Sequence, residues 1–332
     1  MRIDRDSVGG EAGPPGYTFA RQLSRDADEH AARLSAWDQV YEQLTPGPFE
    51  GRLVEALFGG IQLFREATNQ VVHELGTGRA DAYMFGVPVT SAGEGYHGGR
   101  PIRSDSVIVL RGGQELDFRA PPQLDLIAVS MPVDELSQYA REIERRDIAC
   151  ELRDVVVASP APERAQRFRS LLLMALDSIS HNPEKLRHAA MRKALGQALF
   201  GAVLDVLGPG GERPARDGPT RSHAIVSRAQ EYMRVHVEDA LTVEDLCREL
   251  GVSRRTLQYS FREVLRANPV SYLRALRLNG VRRALKSADQ RCGSVQDIAA
   301  RWGFWHLSHF ACDYRRMFGE LPSETLSRSA YA

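Results

Sequence analysis

Cysteine is scarce in this 332-residue chain: Cys150, Cys247, Cys292 and Cys312 form no C-x-x-C pair, and none lies in the first 149 residues. That excludes a zinc ribbon and a disulfide framework, so each thiol reads as a small, partly buried apolar residue in a reducing compartment. Long apolar runs are also missing, which excludes a membrane-spanning helix. The N-terminus has no apolar signal segment, which argues against export and for a cytoplasmic protein. Residues 1–27, dense in Gly and acidic residues up to about Gly16, read as a disordered tail. Net charge is absent as well, with 43 Arg and Lys against 43 Asp and Glu.

That neutrality hides an asymmetry. Residues 221–332 hold 18 basic against 12 acidic side chains, and the remainder holds 25 against 31. From Arg254 to Lys286 the contrast sharpens: Arg254, Arg255, Arg262, Arg266, Arg274, Arg277, Arg282, Arg283 and Lys286 meet a single acid, Glu263. A solvated helix face normally mixes both signs, so this run reads as a surface for a polyanion.

The length suits two domains, each able to bury its own core. The segment from Leu207 to Pro219, LGPGGERPARDGP, sustains neither helix nor central strand, so 208–220 is taken as a linker between domains at 28–207 and 221–332. Residues 51–131 read as short strands (LVEAL, IQLFREA, VVHEL, AYMFGV, SVIVL, ELDFRA, LDLIAVS) broken by Gly59-Gly60, Gly112-Gly113 and Pro121-Pro122. Such a series predicts an antiparallel barrel or sandwich. Helices are expected near Asp28 to Leu44, from Leu34, Trp37, Val40, Tyr41 and Leu44, and over about 162–180 and 183–206, each of the latter two opening on Pro.

Beyond the linker everything reads as helix, and one plan recurs. TVEDLCRELGVSRRTLQYSFREVLRANPVSYL, from Thr242, matches SVQDIAARWGFWHLSHFACDYRRMFGELPSETL, from Ser294. Thr242 pairs with Ser294, Asp245 with Asp297, Leu246 with Ile298 and Gly251 with Gly303. One residue inserted in the second turn then brings Leu257 to Phe310, Phe261 to Tyr314, Leu265 to Phe318 and Pro269 to Pro322. Each half is a capped short helix, a glycine turn that suits positive φ, and a longer helix with one apolar stripe. That is the plan of a helix-turn-helix, whose second helix enters a DNA major groove.

The first unit with SRRTLQYSF, the helix SYLRALRLNGVRRAL and the second unit with DIAARWGFWHLSHFACDYRRMFGELPSE resemble the AraC/XylS family of bacterial regulators over nearly all of residues 222–328. The resemblance implies an α+β, two-domain protein: an N-terminal cupin-like antiparallel β-barrel with flanking helices, and a C-terminal all-α domain of seven helices with two helix-turn-helix units. It implies a non-enzymatic transcription activator that binds a double-stranded DNA operator, works with RNA polymerase and answers to a small-molecule effector. It also implies a homodimer through the helices at about 162–206, for which simple packing on the sheet is the alternative. AWDQVYEQLTPGPFEG, QLFREATNQ and RGGQELDF resemble the sensor region of the ethanolamine-utilisation regulators of that family, which implies ethanolamine and adenosylcobalamin as effectors.

With Leu257 and Phe261 inward, Arg255, Gln258 and Tyr259 are assigned to base edges, and Arg254 and Arg262 to phosphates. On the second helix Ser308, His309 and Cys312 face the groove and Arg315 and Arg316 the backbone. Cys312 stands where the family often has Arg, which implies that the second unit reads less sequence. Trp305 and His306, at the turn, read as packing residues.

A cupin-type metal enzyme needs clustered His and carboxylate, whereas His73 and His97 stand alone in sequence; no metal, required cofactor or catalytic residue is expected. Methyl-transfer DNA repair, which needs reactive cysteines, is set aside. A constitutive DNA-binding protein whose barrel only dimerises stays open. For an ammonium-bearing effector, Glu66, Glu94, Glu115, Trp37, Tyr83 and Phe85 offer carboxylates and aromatic faces.

Overall fold

The computed structural model describes residues 16–91, 93–208, 220–287 and 294–329. The expected tail lies outside them up to residue 15, and the expected linker lies outside them at 209–219. From Tyr17 the expectation of disorder is corrected: β1 (Tyr17–Ser24) pairs antiparallel with β3 (Gly51–Phe58) along its whole length. The expected helix to Leu44 is also corrected. Asp26 caps a short α1 (Ala27–Ala31), Ala36 turns the chain at φ 62°, and β2 (Asp38–Gln43) follows, paired with β5 (Val72–Thr77). The apolar spacing there fits a helix, and pairing with β5 overrides it.

Two antiparallel sheets make up the N-terminal domain. One has the order β1, β3, β4 (Ile61–Thr68), β11 (Leu124–Pro132), β6 (Ala82–Ser91), β9 (Val107–Arg111), β12 (Val157–Ala158). The other has the order β2, β5, β10 (Glu115–Arg119), β7 (Gly95–His97), β8 (Arg100–Ile102). Central strands of the larger sheet are buried on both faces. Tyr83, Phe85 and Val87 point to a core shared with α4 (Pro162–His181) and α5 (Ala189–Leu207), while Phe64, Met84 and Leu126 point between the sheets. Period-two alternation therefore divides each strand between two cores. Helices α2 (Val133–Tyr139) and α3 (Ile148–Glu151) add Leu136 and Ile148 to the core shared with α4 and α5.

The C-terminal domain runs through α6 (Arg221–Val235), α7 (Val243–Leu250), α8 (Arg254–Leu265), α9 (Pro269–Ser287), α10 (Val295–Arg301), α11 (Leu307–Phe318) and α12 (Pro322–Ser329). Its two cores share α9: Tyr272, Leu273 and Leu276 belong to the first, and Ala275, Leu278, Val281 and Leu285 to the second. Among the described residues no helix is long and apolar enough to cross a membrane.

Candidate nucleic-acid interface

Both units begin with a complete capping box, Thr242 with Asp245 and Ser294 with Asp297. Each side-chain cap satisfies an amide at the helix start and contributes about 1 kcal/mol. Hydrogen bonding from the capping Thr242 and Ser294 holds the Asp245 and Asp297 carboxyls below their ordinary range. The turns then use Gly251 at φ 64° and Gly303 at φ 76°, a left-handed conformation that a side chain would strain.

Ser253 caps α8, whose Leu257, Phe261, Val264 and Leu265 are buried. Arg254, Arg255, Gln258, Tyr259 and Arg262 all lie exposed on the opposite face, with Tyr259 at 64%. Helix α11 buries Phe310, Tyr314, Met317 and Phe318, and exposes Ser308, His309, Cys312, Arg315 and Arg316. Between the units runs a groove of about 410 Å³, lined by Val270, Arg274 and Arg277 of α9 and by Trp305, His306 and His309. Trp305 does not pack as the sequence suggested: it is 77% exposed at the mouth of α11.

Helix α9 joins the two units by contributing to both cores. A Cβ on Gly280 would lie 2.0 Å from the Trp302 ring, so only glycine lets the second unit come this close.

The basic run from Arg254 to Lys286 does not act as one surface. Arg266 donates to Glu94 at 3.1 Å, Arg274 pairs with Asp313, and Arg277 donates to the carbonyls of Val237 and Asp239. Arg282 contacts Asp26 at 2.7 Å and Glu320 at 2.8 Å, Arg283 contacts Asp28 at 3.2 Å and Glu42 at 2.7 Å, and Lys286 contacts Asp26 at 2.7 Å. The exposed face of α8 keeps Arg254, Arg255 and Arg262, of which Arg254 lies 3.4 Å from Glu244. Burial alone would raise the Asp26 carboxyl, but Arg282 and Lys286 outweigh it and hold it below its ordinary value. Sequence could not show these partners, since Arg282 and Asp26 are 256 residues apart.

The helix-turn-helix domain family matches residues 246–328. Over 321 residues, 92% of this chain and 94% of the relative, the chain is 27% identical to the probable thc operon regulatory protein of Rhodococcus erythropolis. A transcriptional regulator of Chromobacterium violaceum with an AraC-type DNA-binding domain has a solved structure that is 31% identical. The match covers 33% of this chain and 95% of that one, with a TM-score of 0.31. The XylDLEGF operon transcriptional activator 2 of Pseudomonas putida is 32% identical over 113 residues, 34% of this chain and 72% of that activator. The chain belongs to the AraC/XylS family of transcription regulators. DNA is accordingly the partner of this AraC/XylS regulator, and α8 and α11 are the second helices of its two helix-turn-helix units.

In the N-terminal domain of this AraC/XylS protein the candidate effector residues do not converge. Tyr83 and Phe85 face α4 and α5, Glu115 is exposed on β10, and Glu94 is bound to Arg266. Trp37 and Glu66 remain between the sheets: Trp37 Nε1 donates to Gln62 at 3.0 Å, and Glu66 accepts from the Tyr41 hydroxyl at 2.8 Å. Strand alternation, invisible when side chains are chosen by type alone, separates the set. His30 and Glu74, which sequence reasoning passed over, complete the buried group. His30 Nε2 lies 3.0 Å from Glu66 without hydrogen-bond alignment, and Glu74 Oε1 is buried with no hydrogen bond.

His73 and His97, far apart in sequence, meet at Asp117. His73 Nε2 is 2.7 Å from its carboxylate, His97 Nδ1 is 3.2 Å from its carbonyl, and His223 of α6 reaches its other oxygen at 3.3 Å. Burial would raise Asp117, but the two histidines at its carboxylate hold it well below the usual carboxylate range. The described residues contain no group of three or more such side chains able to hold a metal.

Proposed function

We propose that this regulator is an activator switched by a small effector carrying an ammonium group, held between the sheets of the sensor domain at Glu66 and Glu74. One observation carries the reading. Two buried carboxylates sit around the Tyr41 hydroxyl, and burial, with the Glu66 charge next, pushes the Glu74 carboxyl well above its ordinary value. Buried without a cation, the Glu74 carboxyl is driven toward its neutral form, and an ammonium beside it would restore the charged form as a pair. Trp37, half-buried further along the same interior against Phe64, offers an aromatic face of the kind a cation favours.

Resemblance of the sensor region to the ethanolamine-utilisation regulators supports ethanolamine, with adenosylcobalamin, as the first effectors to test. Relatives named as activators support recruitment of RNA polymerase. Met174 on α4 and Met191 on α5, both exposed, support a homodimer through those helices.

The test is a thermal-shift and calorimetric titration of the full chain with ethanolamine, adenosylcobalamin and unrelated amines. Binding at a hundred times Kd stabilises the native state by about 2.7 kcal/mol. A saturable response, lost in Glu66→Gln and Glu74→Gln, is expected; silence with every amine removes the ammonium reading.

A further inference from the structure

We propose that α1 and β2 are the coupling element of the protein, and that Leu44, the residue after β2, is a wedge through which the barrel sets the angle between the two helix-turn-helix units. The inference rests on the effector reading above for its input, and on independent contacts for its output.

Both short elements have one side in the barrel and the other on the DNA-binding domain. In α1, His30 reaches inward to Glu66, while its cap Asp26 and Asp28 hold Arg282, Lys286 and Arg283 outside. In β2, Tyr41 points inward to Glu66, and the next residue, Glu42, points outward to Arg283, as strand alternation requires. A cation arriving at Glu66 competes directly with His30 and Tyr41, so it acts on the two elements that carry Asp26, Asp28 and Glu42.

What those elements hold is the junction of the two units. Leu44 packs against the cores of both the first and the second unit. Gln43 Nε2 and Gly47 N donate to the Met317 carbonyl near the end of α11, at 2.8 and 3.0 Å. The other recognition helix is held at its own end, where Arg266 meets Glu94. The sensor thus grips the C-terminal ends of both recognition helices and leaves their reading faces open. A displacement of β2 along its length moves Leu44 between the units, and packed interfaces of this kind shift as discrete rearrangements.

The experiment uses the full chain and a duplex selected by it from randomised DNA. Tyr41→Phe, Leu44→Ala and the double variant are compared for affinity, and for hydrogen exchange in α9 and α11. Each single variant is expected to change affinity by about fivefold or more. The double variant should be no worse than Leu44→Ala alone, because the wedge lies downstream of the cage. Phe85→Leu, which loosens the outer core of the larger sheet and not the strand that carries Tyr41, controls for general destabilisation and should leave affinity unchanged. Independent effects that multiply in the double variant, or a Tyr41→Phe chain with unaltered affinity and unaltered exchange in α9 and α11, overturn the coupling. The two readings fail separately. If no amine binds but the variants behave as described, the coupling stands and the effector class falls. If an amine binds and still changes DNA affinity in Leu44→Ala, the wedge falls.

Discussion

Asn279 and Gln43 exchange two hydrogen bonds across the domain boundary: the Gln43 amide donates to Asn279 Oδ1 at 3.2 Å, and Asn279 Nδ2 donates to the Gln43 carbonyl at 3.0 Å. β2 is an edge strand, so the Asn279 side chain takes the place of one residue of a further strand. Helix α9 is thereby keyed to the smaller N-terminal sheet by a polar pair that hydrophobic packing could not supply. Asn279→Ala would leave both Gln43 backbone groups unpartnered in a buried interface, at a cost of about 1–3 kcal/mol. Denaturant unfolding, with faster hydrogen exchange expected at β2, measures it.

Arg255→Ala should relax preference at one operator position, worth about 1–3 kcal/mol of discrimination, and leave other positions unchanged. Arg315→Ala should instead weaken all duplexes alike and lower the salt slope by about 1. Binding to a randomised operator set at several salt concentrations separates the two. A sequence preference untouched by Arg255→Ala removes that residue from the base readers.

Gly280→Ala pits propensity against packing. Alanine is favoured over glycine inside a helix by about 1 kcal/mol. The added methyl, however, would sit 2.0 Å from Trp302. Overpacking of this kind costs about 1–3 kcal/mol, so the net effect is loss of docking of the second unit. A footprint shortened to the first unit is expected, with partial recovery when Trp302→Leu is added.

Glu42 gives the interface a pH dependence of known sign. Burial, against the pull of Arg283, pushes its carboxyl up to about 7, so the folded chain binds a proton that the unfolded chain has released. The stability contributed is present in full below the unfolded value near 4.5 and is lost as pH rises through about 7. Glu42→Gln should flatten that fall in urea unfolding between those two pH values. A slope equal to that of the unaltered chain contradicts it.

The tandem units were legible because their signals are local. Thr242 meets Asp245 and Ser294 meets Asp297 three residues apart, Gly251 and Gly303 mark the turns, and the stripes of α8 and α11 recur at helical spacing. Strand signals over 51–131 were likewise local, although Tyr17–Ser24 was hidden in a segment read as tail. Less could be read of the sensor site. Residue type selected Glu66 and Trp37 together with Tyr83 and Phe85, which the sheet places on opposite faces. His30 and Glu74 carried no signal at all, since what distinguishes them is burial beside Glu66.

By itself the sequence determined the two helix-turn-helix units and their family, because caps, turns and apolar stripes act over a few residues and survive in any context. Tertiary structure alone decided which basic residues are free for DNA. Asp26, Asp28 and Glu42 reach Arg282, Arg283 and Lys286 across more than two hundred residues of chain. Only folding brings such charges close enough to choose one another over a phosphate.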